Sequence, residues 1–285
     1  RDADFDGNNN ILVSISNRIE QRSIIDGELI NTFEFQTNLE DLEFNSDYSI
    51  LFVSARDGLF MYNYPSMELV KDLSSFNIGT TLKIKLSPND KHLAICNQYL
   101  NEIDENVINV RVINVEEDTS IDVTSDNRKW YFIDWNSTGE LLAVGEIHNP
   151  GKIIVFNSSD YSINKEFTPS SSSGNVIIND LHFAKNINEI GILFYTDQRY
   201  LEFRSLDGTS KDILFSRTNQ DINFYRFNYL DDNYILVSDV KDWETTEIHL
   251  FNKFDEEVIW TSGPNSVMLA GLKTSPDKKY ILGFT

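Results

Sequence analysis

The first fourteen residues, RDADFDGNNNILVS, space oxygen-bearing side chains much as a calcium loop does: Asp2, Asp4, Asp6 and Asn10 surround Gly7, which lets the backbone turn. An EF-hand is excluded, because Val13 stands where that loop needs its bidentate glutamate. The four histidines, His92, His148, His182 and His249, lie in no metal or nucleophile motif; HExxH, GxSxG and a glycine-rich phosphate loop are all absent from the sequence. The single cysteine, Cys96, sits in the apolar run HLAIC and reads as a small buried thiol. No cofactor and no metal is expected on these grounds, and catalysis is poorly supplied.

Composition narrows the classes further. The 285 residues are 40% hydrophobic and 12% aromatic, enough for a large core. The formal net charge of -21 comes without any dense lysine or arginine cluster, so nucleic acid and anionic membrane are poor partners and a basic protein surface is a good one. The longest strong apolar run, IGILFY, has the length of a strand and cannot span a bilayer, so no membrane insertion is expected. The absent initiator methionine reads as a processed or excised chain. Together with the acidity it points to an extracytoplasmic location, with the cytoplasm as the alternative.

The elements that must position these side chains repeat. Three stretches, LKIKLSPNDKHLAICN, FIDWNSTGELLAVGE and GLKTSPDKKYILGFT, share one plan of apolar strand, polar turn and apolar strand. Taking the last residue before each such turn gives anchors at Phe5, Phe44, Leu86, Trp135, Phe183, Phe227 and Thr274, at intervals of 39 to 49 residues, close to a four-stranded propeller blade. A third strand follows each pair, ending in Asn63, Asn114, Asn157 or Asn252 in four copies, and a fourth completes an antiparallel meander. All six prolines fall in expected turns, and no segment argues for a long helix. The expected fold is all-β, a propeller of four-stranded antiparallel blades forming a single domain over 1–285. Seven anchors favour seven blades with the last incomplete, six being the alternative.

LSPNDKHLA and TSPDKKYIL resemble the "FSPDGKYLA" turn of the WD-repeat and TolB-like β-propeller families, and VIN, VFN and LFN occupy the place of the Trp-Asp dipeptide. Gly-His and Trp-Asp dipeptides are missing throughout, so that family's buried hydrogen-bond network does not carry over. The resemblance implies a fold and, more weakly, a binding or scaffolding role. Aligned on the anchors, Asp2 shares its position with Asp41 and Asp180, which places Asp2 in a first strand and DGNN in an ordinary turn. This accounts for most of the opening motif without calcium, although Asp2, Asp4, Asp6 and Asn10 also fit the spacing of integrin-type propeller loops.

Two functional readings follow. Propeller lactonases set polar side chains at a channel mouth, and Asp2, Asp41 and Asp180 with His182 form such a candidate set, with or without a cation. The favoured reading is a non-enzymatic module that binds a protein partner through lengthened turns between second and third strands. These carry Tyr99, Leu100, Asp104 and Glu105 in one turn, His148 in another, and Asp242, Trp243 and Glu244 in a third.

Overall fold

Each run in which apolar side chains recur between polar turns forms a strand, and each strand hydrogen-bonds to its sequence neighbour. The computed structural model describes residues 2–76, 79–103, 105–124, 126, 128–170, 175–186, 188–207, 213–216, 224–242, 245–255, 257–265, 269 and 271–284, with backbone alone at 213, 214, 216, 241 and 242. Two compact units divide the chain within one strand: Arg1–Ile133 with Ser275–Asp277, and Asp134–Thr274 with Lys278–Thr285.

The first unit carries three sheets. They comprise β1 (Ala3–Phe5), β2 (Asn10–Ile15), β3 (Arg18–Ser23) and β4 (Leu29–Glu34); β5 (Leu39–Phe44), β6 (Ile50–Ala55), β7 (Gly58–Asn63) and β8 (Glu68–Asp72); and β9 (Thr80–Leu86), β10 (His92–Leu100), β11 (Asn106–Asn114) and β12 (Thr119–Asp122). The second begins within β13 (Trp130–Trp135), which pairs in order with β14 (Leu141–Glu146), β15 (Ile153–Asn157) and β16 (Ile163–Phe167). Next come β17 (Ile177–Phe183), β18 (Glu189–Tyr195), β19 (Arg199–Ser205) and β20 (Ile213–Ser216), then β21 (Phe224–Tyr229), β22 (Tyr234–Asp242), β23 (Thr245–Asn252) and β24 (Glu257–Thr261). A two-stranded sheet, β25 (Gly271–Thr274) with β26 (Ile281–Phe284), follows.

The fold is therefore an all-β propeller of four-stranded antiparallel blades. Six blades are complete, as in the six-blade alternative, and the seventh repeat supplies the two-stranded sheet. Among the described residues the one helical element is a single 3-10 turn at Ser74–Phe76, and no helix is long and apolar enough to cross a membrane.

Burial is high in the second strands and falls away in the fourth. Second strands such as β6 and β14 are buried along nearly their whole length, on both faces, while β12 is exposed throughout. Fourth strands rich in polar residues, such as INKEF in β16, leave an edge that resists pairing with another sheet. The anchors Phe44, Trp135, Phe183 and Phe227 are all buried; Phe44 packs with Leu12 and Ile19 of the preceding blade, and within the second unit Phe227 joins Phe203, Phe215, Tyr229 and Phe251 in one aromatic core.

The turns repeat at the level of single hydrogen bonds. After anchors Phe44, Leu86 and Trp135, the side chain of Asn45, Ser87 or Asn136 accepts the N–H of the residue five positions on, which opens the second strand. After the third strands, the carbonyls of Asn63, Asn114 and Asn157 accept the N–H of Met67, Asp118 and Tyr161, each of which adopts a positive φ. Asparagine serves at this position because its side chain can also cap the turn, as Asn114 does for the N–H groups of Glu116 and Glu117.

Candidate functional site

The opening motif is the first question for the structure. Asp6 is fully buried, and its carboxylate is surrounded by the protein's own donors. Oδ1 accepts the N–H groups of Asn8 at 2.8 Å and Asn10 at 3.0 Å, while Oδ2 accepts from Asn10 Nδ2 at 2.9 Å, Gln21 Nε2 at 3.1 Å and the Tyr64 hydroxyl at 2.7 Å. Burial alone would favour the neutral acid, but the hydrogen bonds from Tyr64, Asn10 and the backbone outweigh it and hold the carboxyl below its ordinary range. Asp4 turns to accept the N–H of Phe5. These bonds join the first turn to the blade after it, since Tyr64 follows the third strand β7 of the second blade.

The three equivalent carboxylates also have an architectural task; Asp41 and Asp180 lie within first strands, while Asp2, expected in one, stands just before β1. Asp2 Oδ2 accepts the N–H of Leu42 at 3.3 Å, Asp41 Oδ2 that of Ile84 at 2.8 Å, and Asp180 Oδ2 that of Phe227 at 3.4 Å. In each case the donor lies on the first strand of the following blade. Asp134, one residue before its anchor, does the same for Phe183 at 2.8 Å. A backbone N–H that would otherwise lack a partner at the blade seam is satisfied by a charged acceptor.

His182 lies between two of these groups, with Nε2 3.3 Å from Asp180 Oδ1 and Nδ1 3.8 Å from Asp134 Oδ2, and its ring meets Phe227 edge to face. Burial pulls the imidazole pKa down, but the two carboxylates reverse this and push it up to about 9. The ring is partly exposed, so solvent moderates the pull of these neighbours. Both carboxylates favour the imidazolium at neutral pH, which disfavours a general-base role. Cys96 is fully buried, and burial pushes its thiol well above the ordinary range, away from nucleophilic chemistry.

The lengthened turns have a different character. β10 and β11 reach nine residues each and pair along their full length, from His92↔Asn114 to Leu100↔Asn106. At the tip, Asn101 Oδ1 accepts the N–H groups of Ile103 at 3.1 Å and Glu105 at 2.9 Å, and Asn101 N–H donates to the Glu105 carbonyl. The described residues of this tip include Leu100, 65% exposed, and Ile103, 68% exposed, with Glu102 and Glu105 exposed beside them. Tyr99 is half-buried, and its hydroxyl accepts a 2.6 Å hydrogen bond from Asn109 Nδ2, so the aliphatic pair forms the open surface. Ile103 was not among the residues expected there. An isoleucine inside an acidic turn, NEIDEN, was the signal that could have found it.

The structure brings Tyr99, Leu100 and Glu105 together on this one hairpin. His148 is exposed in the β14–β15 turn of the second unit. Asp242 ends β22, with its side chain outside the described residues, as are Asp104, Trp243 and Glu244 entirely.

Comparison with known proteins places the chain by shape. No family model matches the sequence, and no curated protein matches it. Among solved structures it is similar to the crystal structure of the Myceliophteria thermophila Cps50 (Swd1) beta-propeller domain. The TM-score is 0.68 over 95% of this chain and 88% of that one, at 9% sequence identity. The likeness is one of fold, and in fold the chain is a WD-repeat-like propeller.

Proposed function

We propose that the protein is a non-enzymatic propeller that binds a protein partner through the tip of the β10–β11 hairpin. The observation that carries this reading is the exposed pair Leu100 and Ile103 on a tip held by Asn101 and flanked by Glu102 and Glu105. Two aliphatic side chains lose favourable burial when left in water, and a covering partner recovers it. The flanking carboxylates and the net charge of -21 suit a partner with a basic rim, whose approach they would accelerate in a salt-dependent way. The propeller fold it shares with the Cps50 (Swd1) domain is compatible with a scaffolding role. The hydrolytic reading is weakened because Asp2, Asp41 and Asp180 are bonded to backbone N–H groups and His182 lies between Asp180 and Asp134, whose charges favour its protonated form.

The test places a photo-crosslinking amino acid at position 103 in cells that make the protein and compares capture with that of Leu100→Asp. A discrete crosslinked partner is expected, with its yield reduced at least tenfold by Leu100→Asp and reduced further as salt is raised. Equal yields from both proteins would refute the assignment of the interface to this tip.

A further inference from the structure

A second constellation lies on the sixth blade and belongs to none of the sites above. Asp239 on β22 and Glu247 on β23 are directly opposed in the strand register, and His249 follows Glu247 by two residues on the same face. The three side chains converge: His249 Nε2 is 3.3 Å from Asp239 Oδ2 and 3.8 Å from Glu247 Oε2, and one donor atom from each residue lies within 4.8 Å of the others. Asp239 is fully buried and His249 nearly so, while the Glu247 side chain keeps 23% of its surface in contact with solvent.

An observation from outside the trio sets the ring's orientation. His249 Nδ1 lies 2.9 Å from the hydroxyl of Thr261, on the neighbouring strand β24, where Thr261 is the register partner of His249. A hydroxyl can accept a hydrogen bond, so an Nδ1–H donating to Thr261 leaves the Nε2 lone pair directed between the carboxylates. An outer partner that fixes tautomer and ring plane in this way is the usual companion of a metal-ligating histidine.

We infer that Asp239, Glu247 and His249 form a binding site for a single divalent transition-metal ion of the zinc class. The donor set is one imidazole nitrogen and two carboxylate oxygens, which suits a borderline cation better than calcium, whose six to eight ligands are all oxygen. Bonds of about 2.0–2.2 Å to such an ion place its ligand atoms roughly 3.3 Å apart in a tetrahedral arrangement, so the observed separations need only small side-chain rotations to meet it. With a neutral imidazole the three groups carry two negative charges, which a divalent ion balances. The partly exposed Glu247 gives the ion its way in, and a fourth position remains for water.

The experiment uses the full chain, stripped with chelator and titrated with zinc chloride by calorimetry, followed by cobalt(II) titration monitored by visible absorption. The expected result is one equivalent of zinc and a cobalt ligand-field band. His249→Ala should abolish both, and Glu247→Gln should weaken zinc binding at least tenfold. Thr261→Val should weaken it about ten- to a hundredfold, with Thr261→Ser restoring it. Circular dichroism reports whether each variant folds. If His249→Ala does not, the more exposed Glu247→Gln decides. Absence of saturable zinc binding would overturn the site and leave His249 as a structural contact of its two carboxylates. Binding that Glu247→Gln leaves unchanged, or that disappears only with His182→Gln, would overturn it equally.

Discussion

Replacing Asp6 by asparagine tests whether the opening motif is a structural joint. The change preserves shape but converts one carboxylate oxygen into an NH2 group. Oδ1 accepts two backbone N–H groups and Oδ2 accepts three side-chain donors, so whichever way the amide turns, it sets a donor against donors and forfeits at least two hydrogen bonds. Hydrogen bonds to an ionised group contribute roughly 1.5–3 kcal/mol each, which predicts a loss of about 3–6 kcal/mol at neutral pH. In a chain of this size that lowers the melting temperature by at least about 6 °C. The pH dependence adds a second constraint. The folded pKa of Asp6 lies below its unfolded value, so the stabilisation is complete above the unfolded value, about 3.9, and is lost as pH falls through the folded one. Urea unfolding of Asp6→Asn and wild type, followed by tryptophan fluorescence from pH 7 to pH 3, should show a gap that is widest near neutrality and closes below about pH 4. A gap under about 0.5 kcal/mol at pH 7, or one independent of pH, would refute the reasoning. So would a calcium-dependent rise in wild-type stability that disappears in Asp4→Ala.

Two further outcomes follow from buried charge. Lys253 is fully buried, paired with Glu189, which also accepts from the Tyr229 hydroxyl, and ringed by Phe203, Tyr229 and Phe254. Lys253→Met should therefore cost about 3–5 kcal/mol in chemical denaturation, and adding Glu189→Leu should recover at least half; a double variant no more stable than the single one would sink this account. His182 has a folded pKa near 9, above its unfolded value of about 6.5, so its stabilisation is complete below pH 6.5 and drains away as pH rises to 9. Wild type should lose stability relative to His182→Gln across that interval, and a ring titration by NMR with a midpoint at or below 6.5 would contradict it.

Which of these features the sequence discloses depends on how far apart the partners lie. The anchors, the capping residues Asn45, Ser87 and Asn136, and the strand-ending asparagines act within a few residues of themselves. A repeat therefore shows them as recurring letters at fixed spacing, and the blades could be drawn from those letters alone. The alignment also put Asp2, Asp41 and Asp180 at one position. It could not show that each accepts an N–H some forty residues away, because the partner is a backbone group with no letter of its own. Free carboxylates at a channel mouth and carboxylates stitched to the next blade are identical as text. The same limit hid the Lys253–Glu189 pair, since isolated charges in a strand-and-turn pattern read as surface.

That difference changes what the acidity means. A net charge of -21 suggests a uniformly negative body, yet the structure divides its carboxylates into two populations. Those of the first strands, with Asp6 and Glu189, face inward and are held by backbone N–H groups, hydroxyls and a buried lysine, so they contribute to stability and are withheld from ligands. Those at the tip of the β10–β11 hairpin, Glu102 and Glu105, stay in water beside two aliphatic side chains. Only charges of the second kind can steer a partner, because their field reaches solvent without first being spent on a local donor. The trio on the sixth blade stands between the two, with a buried carboxylate and imidazole joined to a glutamate that still meets solvent. Interior charge with an opening to solvent suits a small cation, as surface charge beside apolar side chains suits a protein, and the two sites should therefore respond independently to their own substitutions.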